Sequence, residues 1–557
     1  MDNYAIADNF SLLSKLIDIH GDDSFKAKTY GVAAFNIEKL QVQLNELPPE
    51  KIFTIPGIGK ATGQKILEQI ETGRLAALDE YILKTPPGLF EIMKIKGLGP
   101  KKVSTIWKEL GIESLGELLY ACEENRLLLY KGFGAKTQQN IKEGIEFYLS
   151  NQGSYLFSQV EGYGLAFTQK LQEHFLDHQF LITGDYNRHL EIITIIEWVT
   201  DTDEAALQQF FEQQGYTTEV TDHILLAKGE ENIQLKFYCV RKQQLISEFF
   251  QHNGSEEFLA AWKEKFGCKD NREYESEAAI FATHGLSYIE PYLRENPTII
   301  AKAAAKDIPT VIQVSDIKGI IHSHSNWSDG VHTIQQMAEG AIAKGLEYLV
   351  ISDHSQTAFY AQGLFPDRIK AQHELIDELN IKFAPFKIFK SIESDILNDG
   401  NLDYTDAILS TFDLVIASVH SNLKMNEEKA MMRLLRAIEN PYTTILGHMT
   451  GRLLLSRNGY PVDHDKIIEA CVAHQVVIEL NAHPRRLDMD WRYIAIATDN
   501  NVLISINPDA HAIEGFEDVK YGVLVAQKAG LTALQNLSSF SLVEMEAFLT
   551  KQRQKRQ

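Results

Sequence analysis

Histidines and carboxylates that could bind metal ions recur at the ends of short apolar segments in the C-terminal part of this 557-residue chain. Four of these segments are IKGIIHSH, LEYLVISDH, FKIFKSIESD and VLISINPDAH. Imidazole and carboxylate groups without thiolates suit Zn²⁺, Mn²⁺ or Fe²⁺, and the residue types do not choose among these ions. The candidate ligands are His322, His324, Asp329, His354, Glu393, His420, His448, Asp509 and His511.

The segments that carry these residues predict a parallel β-sheet. From Asp316 onward, short apolar runs alternate with helical patterns, which is typical of an α/β barrel. The C-terminal ends of the strands in such a barrel share one face, so residues remote in sequence would meet there. Burying many imidazoles and carboxylates together is costly unless cations neutralise them. Because the set is larger than one ion needs, we expect two or three divalent ions.

A single histidine is more often an ordinary core or surface residue than a metal ligand. The metal prediction therefore depends on the whole set at the strand ends, and not on any one member. Other histidines fall on predicted helices or loops, and we expect no metal at His332, His373, His464 and His474.

Charge and cysteine usage exclude several classes of protein. The net charge of −22 argues against a protein that coats nucleic acid with its whole surface. Residues 1–150 carry 18 Lys and Arg against 20 Asp and Glu, so this region can still present a local basic face. A thiolate zinc site or a disulfide framework is not expected, because no CxxC pair occurs among Cys122, Cys239, Cys268 and Cys471. With no visible secretory signal or membrane span, we expect a cytoplasmic, nucleoid-associated protein.

Residues 1–150 contain one glycine-centred motif three times, in IFTIPGIGKATGQKI, IMKIKGLGPKKVSTI and the looser LLLYKGFGAKTQQNI. Each copy reads as a helix–hairpin–helix, in which Gly-x-Gly lets two helices meet and the second helix directs N–H groups at a phosphate. Such contacts bind DNA without sequence preference, whereas the alternative is a plain helix-packing turn. The predicted DNA-binding residues are Gly57, Gly59, Lys60, Lys65, Gly97, Gly99, Lys101, Lys102, Gly132 and Gly134.

The C-terminal motifs IIHSHSNWSDG, YLVISDHS, SIESDIL, IASVHS, LGHMTGRLL and NPDAH resemble those of the polymerase-and-histidinol-phosphatase (PHP) domain over residues 316–557. The resemblance implies a distorted seven-stranded α/β barrel with a trinuclear metal centre that hydrolyses phosphate esters. It assigns to one metal His322, His324, Glu393 and Asp509, to a second Glu393, His420 and His448, and to a third Asp329, His354 and His511. One residue departs from the pattern, since His483 stands where the family usually has Asn.

Nearly the whole chain resembles the bacterial family X DNA polymerases that carry a C-terminal PHP domain. The resemblance implies a multidomain protein of helical and α/β parts. The implied domains are a lyase-like helical domain with a helix–hairpin–helix at 1–85, a fingers-like helix–hairpin–helix domain at 86–150, a degenerate nucleotidyltransferase palm of α+β type at 151–235, a thumb-like domain at 236–305 and a PHP barrel at 316–557. Lys65 matches the Schiff-base lysine of some members, although a phosphate contact or a solvated side chain is the more ordinary role.

The middle region lacks the carboxylates that nucleotide transfer needs. The family palm holds two metal ions with an Asp-x-Asp pair and a third Asp on a later strand. Here Ile195 and Glu197 stand at the Asp-x-Asp positions, and Gln234 stands at the third. Isoleucine cannot bind Mg²⁺, and glutamine is a poor substitute for a charged ligand. We therefore expect the palm fold to be kept and polymerase activity to be lost.

The expected activity is metal-dependent hydrolysis of a phosphate ester, as a 3′–5′ exonuclease or in related 3′-end processing during DNA repair. Arg452 and Arg485, or its neighbour Arg486, could hold phosphate oxygens with a bidentate guanidinium, with ordinary salt bridges as the alternative. Three other functions stay open: a small-molecule phosphatase of the histidinol-phosphate kind, a non-catalytic DNA scaffold and an active repair polymerase. The expected partner is gapped, nicked or 3′-ended DNA, and we expect a monomer without membrane contact.

Overall fold

The computed structural model describes residues 1, 3–38, 40, 42–150, 153–229, 232–267 and 272–556. Cys268 lies outside the described residues. The chain forms two compact units, Met1–Glu123 with Leu127–Tyr148, and Glu124–Arg126 with Leu149–Gln557. No helix among the described residues is both long enough and apolar enough to cross a lipid bilayer.

The first unit is built from helices. Phe10, Leu13 and Leu16 of the first helix are fully buried, so this helix supplies much of the unit's core. The helices are α1 (Asn3–His20), α2 (Ser24–Glu38), α3 (Pro49–Ile52), α4 (Lys60–Thr72), α5 (Ala76–Lys84), α6 (Pro87–Ile92), α7 (Pro100–Lys108), α8 (Leu115–Glu123) and α9 (Ala135–Ser150). The glycine-centred motifs lie in the turns before α4, α7 and α9.

The second unit begins with mixed α/β structure. Its elements are β1 (Tyr155–Leu156), α10 (Phe157–His174), β2 (Phe180–Thr183), α11 (Gly184–Asn187), β3 (Ile192–Ile193), β4 (Ile195–Thr200), α12 (Glu204–Gln213), β5 (Thr217–Thr221), β6 (Ile224–Lys228), β7 (Gln234–Cys239), α13 (Leu245–Gln251), α14 (Glu256–Phe266), α15 (Glu277–Thr283) and α16 (Ile299–Ala305).

A five-stranded sheet in the order β2-β4-β7-β6-β5 forms the centre of this region. Strands β4 and β7 run parallel, and the other neighbours are antiparallel. Trp198 of β4 stacks on Phe237 of β7 at 4.9 Å between ring centroids, so one face of the sheet is an aromatic core. Helices α13 to α16 have a core of their own, which contains Phe250, Trp262 and Phe281.

The rest of the second unit is a barrel of alternating strands and helices. Its elements are β8 (Gly319–Ser323), α17 (Ile334–Ala343), β9 (Tyr348–Ile351), α18 (Pro366–Phe383), β10 (Lys387–Asp395), α19 (Asp406–Leu409), β11 (Leu414–Ser418), α20 (Glu427–Glu439), β12 (Ile445–Leu446), α21 (His464–His474), β13 (Val477–Asn481), α22 (Ile494–Asp499), β14 (Ile504–Asn507), α23 (Val519–Lys528) and α24 (Leu542–Gln554).

The barrel sheet has seven strands in sequence order from β8 to β14, and every neighbouring pair is parallel. A parallel bridge between Ser323 and Ala510 joins the two edges, so the barrel is nearly closed. Every residue of β8, β11 and β13 is buried, as expected for parallel strands that are covered on both faces.

The predicted fold class is confirmed: helix–hairpin–helix helices, a mixed α/β middle region and a nearly closed parallel barrel follow one another along the chain. The predicted domain limits divide the chain more finely than the two units do, and they stay a prediction. Strand β7 runs across the predicted limit at residue 235.

Candidate functional site

The candidate metal ligands meet at the C-terminal ends of the barrel strands. All of them are buried except His420, which is partly buried. His322 lies within β8 and Glu393 within β10. The other candidate ligands follow the ends of strands: His324 and Asp329 follow β8, His354 follows β9, His420 follows β11, His448 follows β12, and Asp509 and His511 follow β14.

Glu393 occupies the centre of this cluster. Its Oε1 lies 3.3 Å from His322 Nε2, 3.1 Å from His420 Nε2 and 2.9 Å from His448 Nε2. Its Oε2 lies 2.9 Å from His354 Nδ1. One carboxylate therefore contacts imidazoles that follow or end four different strands.

Two further carboxylates complete the cluster. Asp509 Oδ1 lies 3.3 Å from His322 Nε2 and 3.0 Å from His324 Nε2. Asp329 Oδ2 lies 3.5 Å from His354 Nε2. Possible ligand atoms lie within 4.8 Å of one another in three overlapping groups: His322 with His324 and Asp509; His354 with Glu393 and His420; and His324 with Asp329, His354 and His511.

These groups resemble the three ligand sets implied by the PHP resemblance, with differences in membership. Glu393 falls outside the first group, although it contacts His322. His354 takes the place of His448 in the second group, while His448 stays in contact with Glu393. His324 joins the third group as well as the first. The assignment of single residues to single ions therefore stays a prediction.

The side chains fit divalent cations. Several buried atoms that face the cluster find no hydrogen-bond partner of acceptable geometry within the described part of the chain, namely His322 Nε2, His324 Nδ1, Asp329 Oδ2, Glu393 Oε2 and His511 Nε2. His322 and Asp509 also hold left-handed backbone conformations, with φ of 65° and 53°. Unsatisfied buried polar atoms and strained backbone are both costly, and both are typical of functional sites. The cluster is thus compatible with divalent metal ions.

Electrostatics in the cluster favour ionised carboxylates beside imidazoles. Burial lowers the pKa of His322, but the surrounding carboxylates outweigh burial and hold that pKa well above its usual value. Burial acts to raise the pKa of Glu393, but the neighbouring imidazoles, His420 first, hold it well below its usual value. Burial lowers the pKa of His511, but Asp329 outweighs it and raises the pKa to about 9. A divalent cation bound by the cluster would displace protons from the imidazole nitrogens that face it, so metal binding would release protons.

Sequence reasoning missed the residues that orient the ligands. Asp395 Oδ1 lies 2.5 Å from His420 Nδ1, and Asp395 Oδ2 accepts a hydrogen bond from the Thr357 hydroxyl at 3.0 Å. Because Asp395 follows Glu393 by two positions in one strand, both face the same side of the sheet. Glu479 of β13 lies 2.7 Å from His322 Nδ1. A signal for both was visible, since Asp395 ends strand β10 and Glu479 is an acidic residue within the buried strand β13.

Asp353 orients the loop that carries Asp329. Its buried carboxylate accepts hydrogen bonds from Ser325 N at 2.8 Å, Ser325 Oγ at 2.7 Å, Ser328 Oγ at 2.5 Å and Gln372 Nε2 at 2.6 Å. These bonds hold the loop from Ser325 to Asp329 against the end of β9.

The predicted arginines differ in position. Arg452 donates to Arg486 O at 3.0 Å and to Asp490 Oδ2 at 2.6 Å, and it also donates to Leu487 O. This arrangement favours the salt-bridge alternative for Arg452.

Arg486 lies near the cluster, with its Nε 3.9 Å from Asp509 Oδ2. Arg485 is buried, and its backbone N–H donates to His483 Nδ1 at 3.2 Å. The catalytic roles of Arg452 and Arg485 stay predictions. Of the three arginines, Arg486 has the position that favours a contact with a phosphate bound at the cluster.

The other histidines of the barrel lie outside the three groups. The His464 ring stacks on Tyr493 at 3.6 Å, and the His373 ring packs edge-on against Phe412 at 4.9 Å. His332 Nδ1 faces the Ile513 N–H at 3.4 Å.

In the first unit, the three glycine motifs form the same turn. Gly57, Gly97 and Gly132 adopt φ of 83°, 90° and 97°, which only glycine reaches easily. The residue between the glycines of each copy is buried, and its N–H donates to the carbonyl three residues earlier. Gly59 and Gly99 precede α4 and α7 without a side-chain cap, so these helices begin with backbone N–H groups available to a phosphate.

The predicted lysines differ in exposure. Lys60 and Lys101 are exposed at the first turns of α4 and α7. Lys102 is partly buried and donates to Gly97 O at 3.3 Å. Lys65 lies in the second turn of α4 and is partly buried. Their DNA contacts and the lyase role of Lys65 stay predictions.

At the palm position of the second unit, β4 and β7 pair in a register that places Ile195 opposite Gln234 and Glu197 opposite Lys236. Lys236 Nζ lies 3.2 Å from Glu197 Oε1. The Tyr238 hydroxyl donates to the same oxygen at 2.7 Å. Lys236, which was not predicted, brings a cation to the place where the family pattern requires carboxylates.

Comparisons with protein families match three parts of the chain. Residues 1–75 match the family described as a helix-hairpin-helix domain, residues 90–146 a SAM-like helix-hairpin-helix tandem, and residues 321–483 the PHP domain. The predicted motifs and the PHP barrel are therefore confirmed as family features.

Among curated proteins, the DNA polymerase/3′-5′ exonuclease PolX of Bacillus subtilis (strain 168) is 32% identical over 560 residues, which covers 96% of this chain and 97% of that protein. A probable phosphatase of Thermoanaerobacter sp. (strain X514) is 26% identical over 39% of this chain and 89% of its own length. The probable phosphatase YcdX of Escherichia coli O127:H6 is 26% identical over 34% of this chain and 74% of its own length. The match to PolX over nearly the full length, together with the helix-hairpin-helix and PHP matches, shows that the chain belongs to the bacterial family X DNA polymerases that carry a C-terminal PHP domain.

Proposed function

We propose that this protein is a DNA-binding, metal-dependent phosphoesterase that shortens or processes 3′ ends, and that its polymerase-like middle region does not polymerise. The observation that supports this most strongly is the contact of Glu393 with four imidazoles in a chain that also carries helix–hairpin–helix motifs. Membership of the family gives the coarser statement, that the chain is a DNA-processing enzyme of the phosphoesterase or nucleotidyltransferase class.

The residues of the three groups would hold two or three divalent ions, with Mn²⁺ or Zn²⁺ as the first candidates and Fe²⁺ as a third. Such ions, when bound, activate water and stabilise charge on the phosphate. Three acidic residues would orient the ligands: Asp395 contacts His420, Glu479 contacts His322, and Asp353 holds the loop that carries Asp329. The buried Arg486, 3.9 Å from Asp509, would hold a non-bridging phosphate oxygen.

The first unit would bind the DNA backbone. Uncapped helix N-termini after Gly59 and Gly99, with exposed Lys60 and Lys101, offer N–H donors and positive charge to phosphates. These contacts read no bases, so we expect binding that depends on DNA structure and salt rather than on sequence.

The loss of polymerase activity is supported by the surroundings of Glu197. Its carboxylate already contacts an ammonium and a hydroxyl, from Lys236 and Tyr238. The residues at the other two metal positions, Ile195 and Gln234, bring no charge. Of the three positions at which the family holds two Mg²⁺ ions with carboxylates, only that of Glu197 carries one here, and Lys236 already neutralises it.

A small-molecule phosphatase is the second candidate, because two probable phosphatases match 39% and 34% of this chain over most of their own length. A comparison of turnover on a phosphomonoester and on a 3′-labelled oligonucleotide separates the two. We expect preference for the oligonucleotide, and we expect Lys60→Ala with Lys101→Ala to slow only oligonucleotide turnover. Equal loss on both substrates, or a preference for the monoester, would contradict DNA as the substrate.

The metal identity, the role in repair, the monomeric state and the location in the cell stay predictions. Elemental analysis of the purified protein would identify the metal and give the number of ions per chain.

A further inference from the structure

We propose that Glu479 is a positioning residue of the metal centre, which fixes the ring of His322 and holds together the strand ends that carry His448 and Asp509. Glu479 is not among the ligands that the PHP resemblance implies. The inference deepens the proposed function and rests on it, because it takes His322 and Asp509 to be metal ligands.

The Glu479 carboxylate is fully buried in β13 and contacts four donors. Its Oε2 lies 2.7 Å from His322 Nδ1 and accepts from Asn507 Nδ2 at 2.8 Å. Its Oε1 accepts from the His448 backbone N–H at 3.1 Å and from Asn481 Nδ2 at 3.2 Å. Each oxygen thus has two partners, so the carboxylate is used in orienting its neighbours rather than in binding an ion itself.

The contact with His322 determines which ring nitrogen faces the cluster. A carboxylate oxygen accepts hydrogen bonds, so His322 Nδ1 carries a proton and Nε2 is left as the ligand nitrogen. That Nε2 lies 3.3 Å from Glu393 Oε1 and 3.3 Å from Asp509 Oδ1. A carboxylate behind a ligand imidazole in this way fixes the ring and raises its basicity toward a metal.

The other contacts of Glu479 connect neighbouring strands. The His448 N–H lies at the end of β12, and Asn507 lies in β14. The amide of Asn481 also donates to Asp509 Oδ2 at 3.1 Å. Glu479 therefore joins the ends of β8, β12, β13 and β14, and a shift of its side chain would move ligands on three of them.

A neutral amide cannot replace this carboxylate. Glu479→Gln keeps the shape, but its NH₂ group must face two donors in place of one oxygen. In one orientation the His322 Nδ1–H and the Asn507 amide lose their acceptor. In the other orientation the His448 N–H and the Asn481 amide lose theirs. We expect affinity for the divalent ions to fall about 10- to 100-fold, the usual effect of removing a partner behind a metal ligand.

The test measures metal binding rather than turnover. Wild type, Glu479→Gln and the control Thr444→Val are loaded with Mn²⁺ or Zn²⁺, titrated with a chelator, and assayed for ions per chain. Thr444 is buried beside β12 at the opposite end of the barrel from the cluster, and its hydroxyl contacts only backbone groups of Val415 and Tyr442 among the described residues. We expect weaker metal binding in Glu479→Gln alone, with far-ultraviolet circular dichroism unchanged.

Wild-type affinity and stoichiometry in Glu479→Gln would overturn the inference and leave the proposed function intact. A wild-type protein that binds no divalent ion would overturn both. Should Glu479→Gln fail to fold, Glu479→Asp keeps the charge but withdraws the carboxylate by about one C–C bond, ~1.5 Å. This variant is expected to fold and to show the same loss of affinity, and unchanged affinity in it would equally reject the positioning role.

Discussion

Lys236 Nζ lies 3.2 Å from Glu197 Oε1, on the neighbouring parallel strand of the middle sheet and in direct register with it. A family X palm uses carboxylates on neighbouring strands to gather two metal ions at this place. Here the ammonium group already neutralises Glu197. This contact supports the proposal that the sheet keeps its shape without the two-metal site of a polymerase.

The first prediction is that the protein does not extend a primer. Template-dependent incorporation is assayed with Mg²⁺ and with Mn²⁺ in an Asp509→Ala background, so that 3′-end shortening does not remove the product. We expect none, because Ile195 and Gln234 bring no carboxylate to the other two metal positions beside Glu197. Incorporation that Glu197→Ala abolishes would show that the palm is active.

The barrel and the clustering of the candidate ligands could be predicted from the sequence because the relevant signals are local. Apolar runs that end in a histidine or carboxylate mark both a parallel strand and its functional end, and His322, His354 and Glu393 were found in that way. The turns at Gly57 and Gly97 were equally visible, since their positive φ requires glycine at fixed positions.

The contacts that orient the ligands could not be predicted, because their partners are remote in the chain. Glu479 is 157 positions from His322 and 31 positions from His448, from whose backbone N–H it also accepts a hydrogen bond. The role of Arg452 was equally hidden, since the carbonyls that accept its hydrogen bonds lie in a loop that no periodicity describes.

The second prediction concerns the helix–hairpin–helix turns. Gly97→Ala and Gly111→Ala both place alanine at positive φ, 90° and 68°, in open surroundings. Both should therefore lose a similar amount of stability, about 1–2 kcal/mol. Only Gly97→Ala should weaken DNA binding, because only Gly97 lies in a predicted phosphate-binding turn.

Fluorescence anisotropy with a gapped duplex at several salt concentrations measures this difference. Lys101→Ala should lower the slope of log affinity against log salt by about one. Equal DNA affinity in the two glycine variants would reject the turn as a DNA contact.

The third prediction concerns a buried ion pair between the palm region and the barrel. Lys528 Nζ lies 3.5 Å from Glu191 Oε2, and Arg492 Nη1 lies 3.3 Å from Glu191 Oε1. Lys528→Met leaves the buried Glu191 with Arg492 as its one cationic partner among these two, so it should cost about 3 kcal/mol, the lower end of the range for breaking a buried pair. The exposed pair of Lys344 with Glu517 should be worth less than about 1 kcal/mol. Urea unfolding of Lys528→Met and Lys344→Met compares the two, and equal losses would contradict the buried-pair argument.

The fourth prediction concerns acid stability. Burial, with help from Lys528 and Lys520, lowers the pKa of His189 to about 4. A lowered pKa in the folded state favours the neutral ring, so its stabilisation is complete above the unfolded pKa of about 6.5 and is lost as the pH falls toward 4. The loss attributable to this ring is about 3 kcal/mol at most.

His189→Asn tests this, because asparagine tolerates the left-handed φ of 57° at this position. Unfolding free energies of wild type and variant, measured between pH 7 and pH 4, should converge as the pH falls. Parallel pH profiles would show that His189 does not contribute.

The most direct measurement is the shortening of a 3′-labelled DNA strand by the purified protein in the presence of Mn²⁺, compared with His324→Ala and Asp509→Ala. Either change removes a candidate metal ligand at the strand ends, so we predict rates at least about 100-fold lower. Loss of a residue that only supports a ligand costs up to about 100-fold, and loss of a ligand itself should cost no less. His474→Ala, at the far end of α21, should retain the wild-type rate. Unchanged shortening in His324→Ala or Asp509→Ala, or none in the metal-loaded wild type, would contradict a metal-dependent 3′-end phosphoesterase in the barrel.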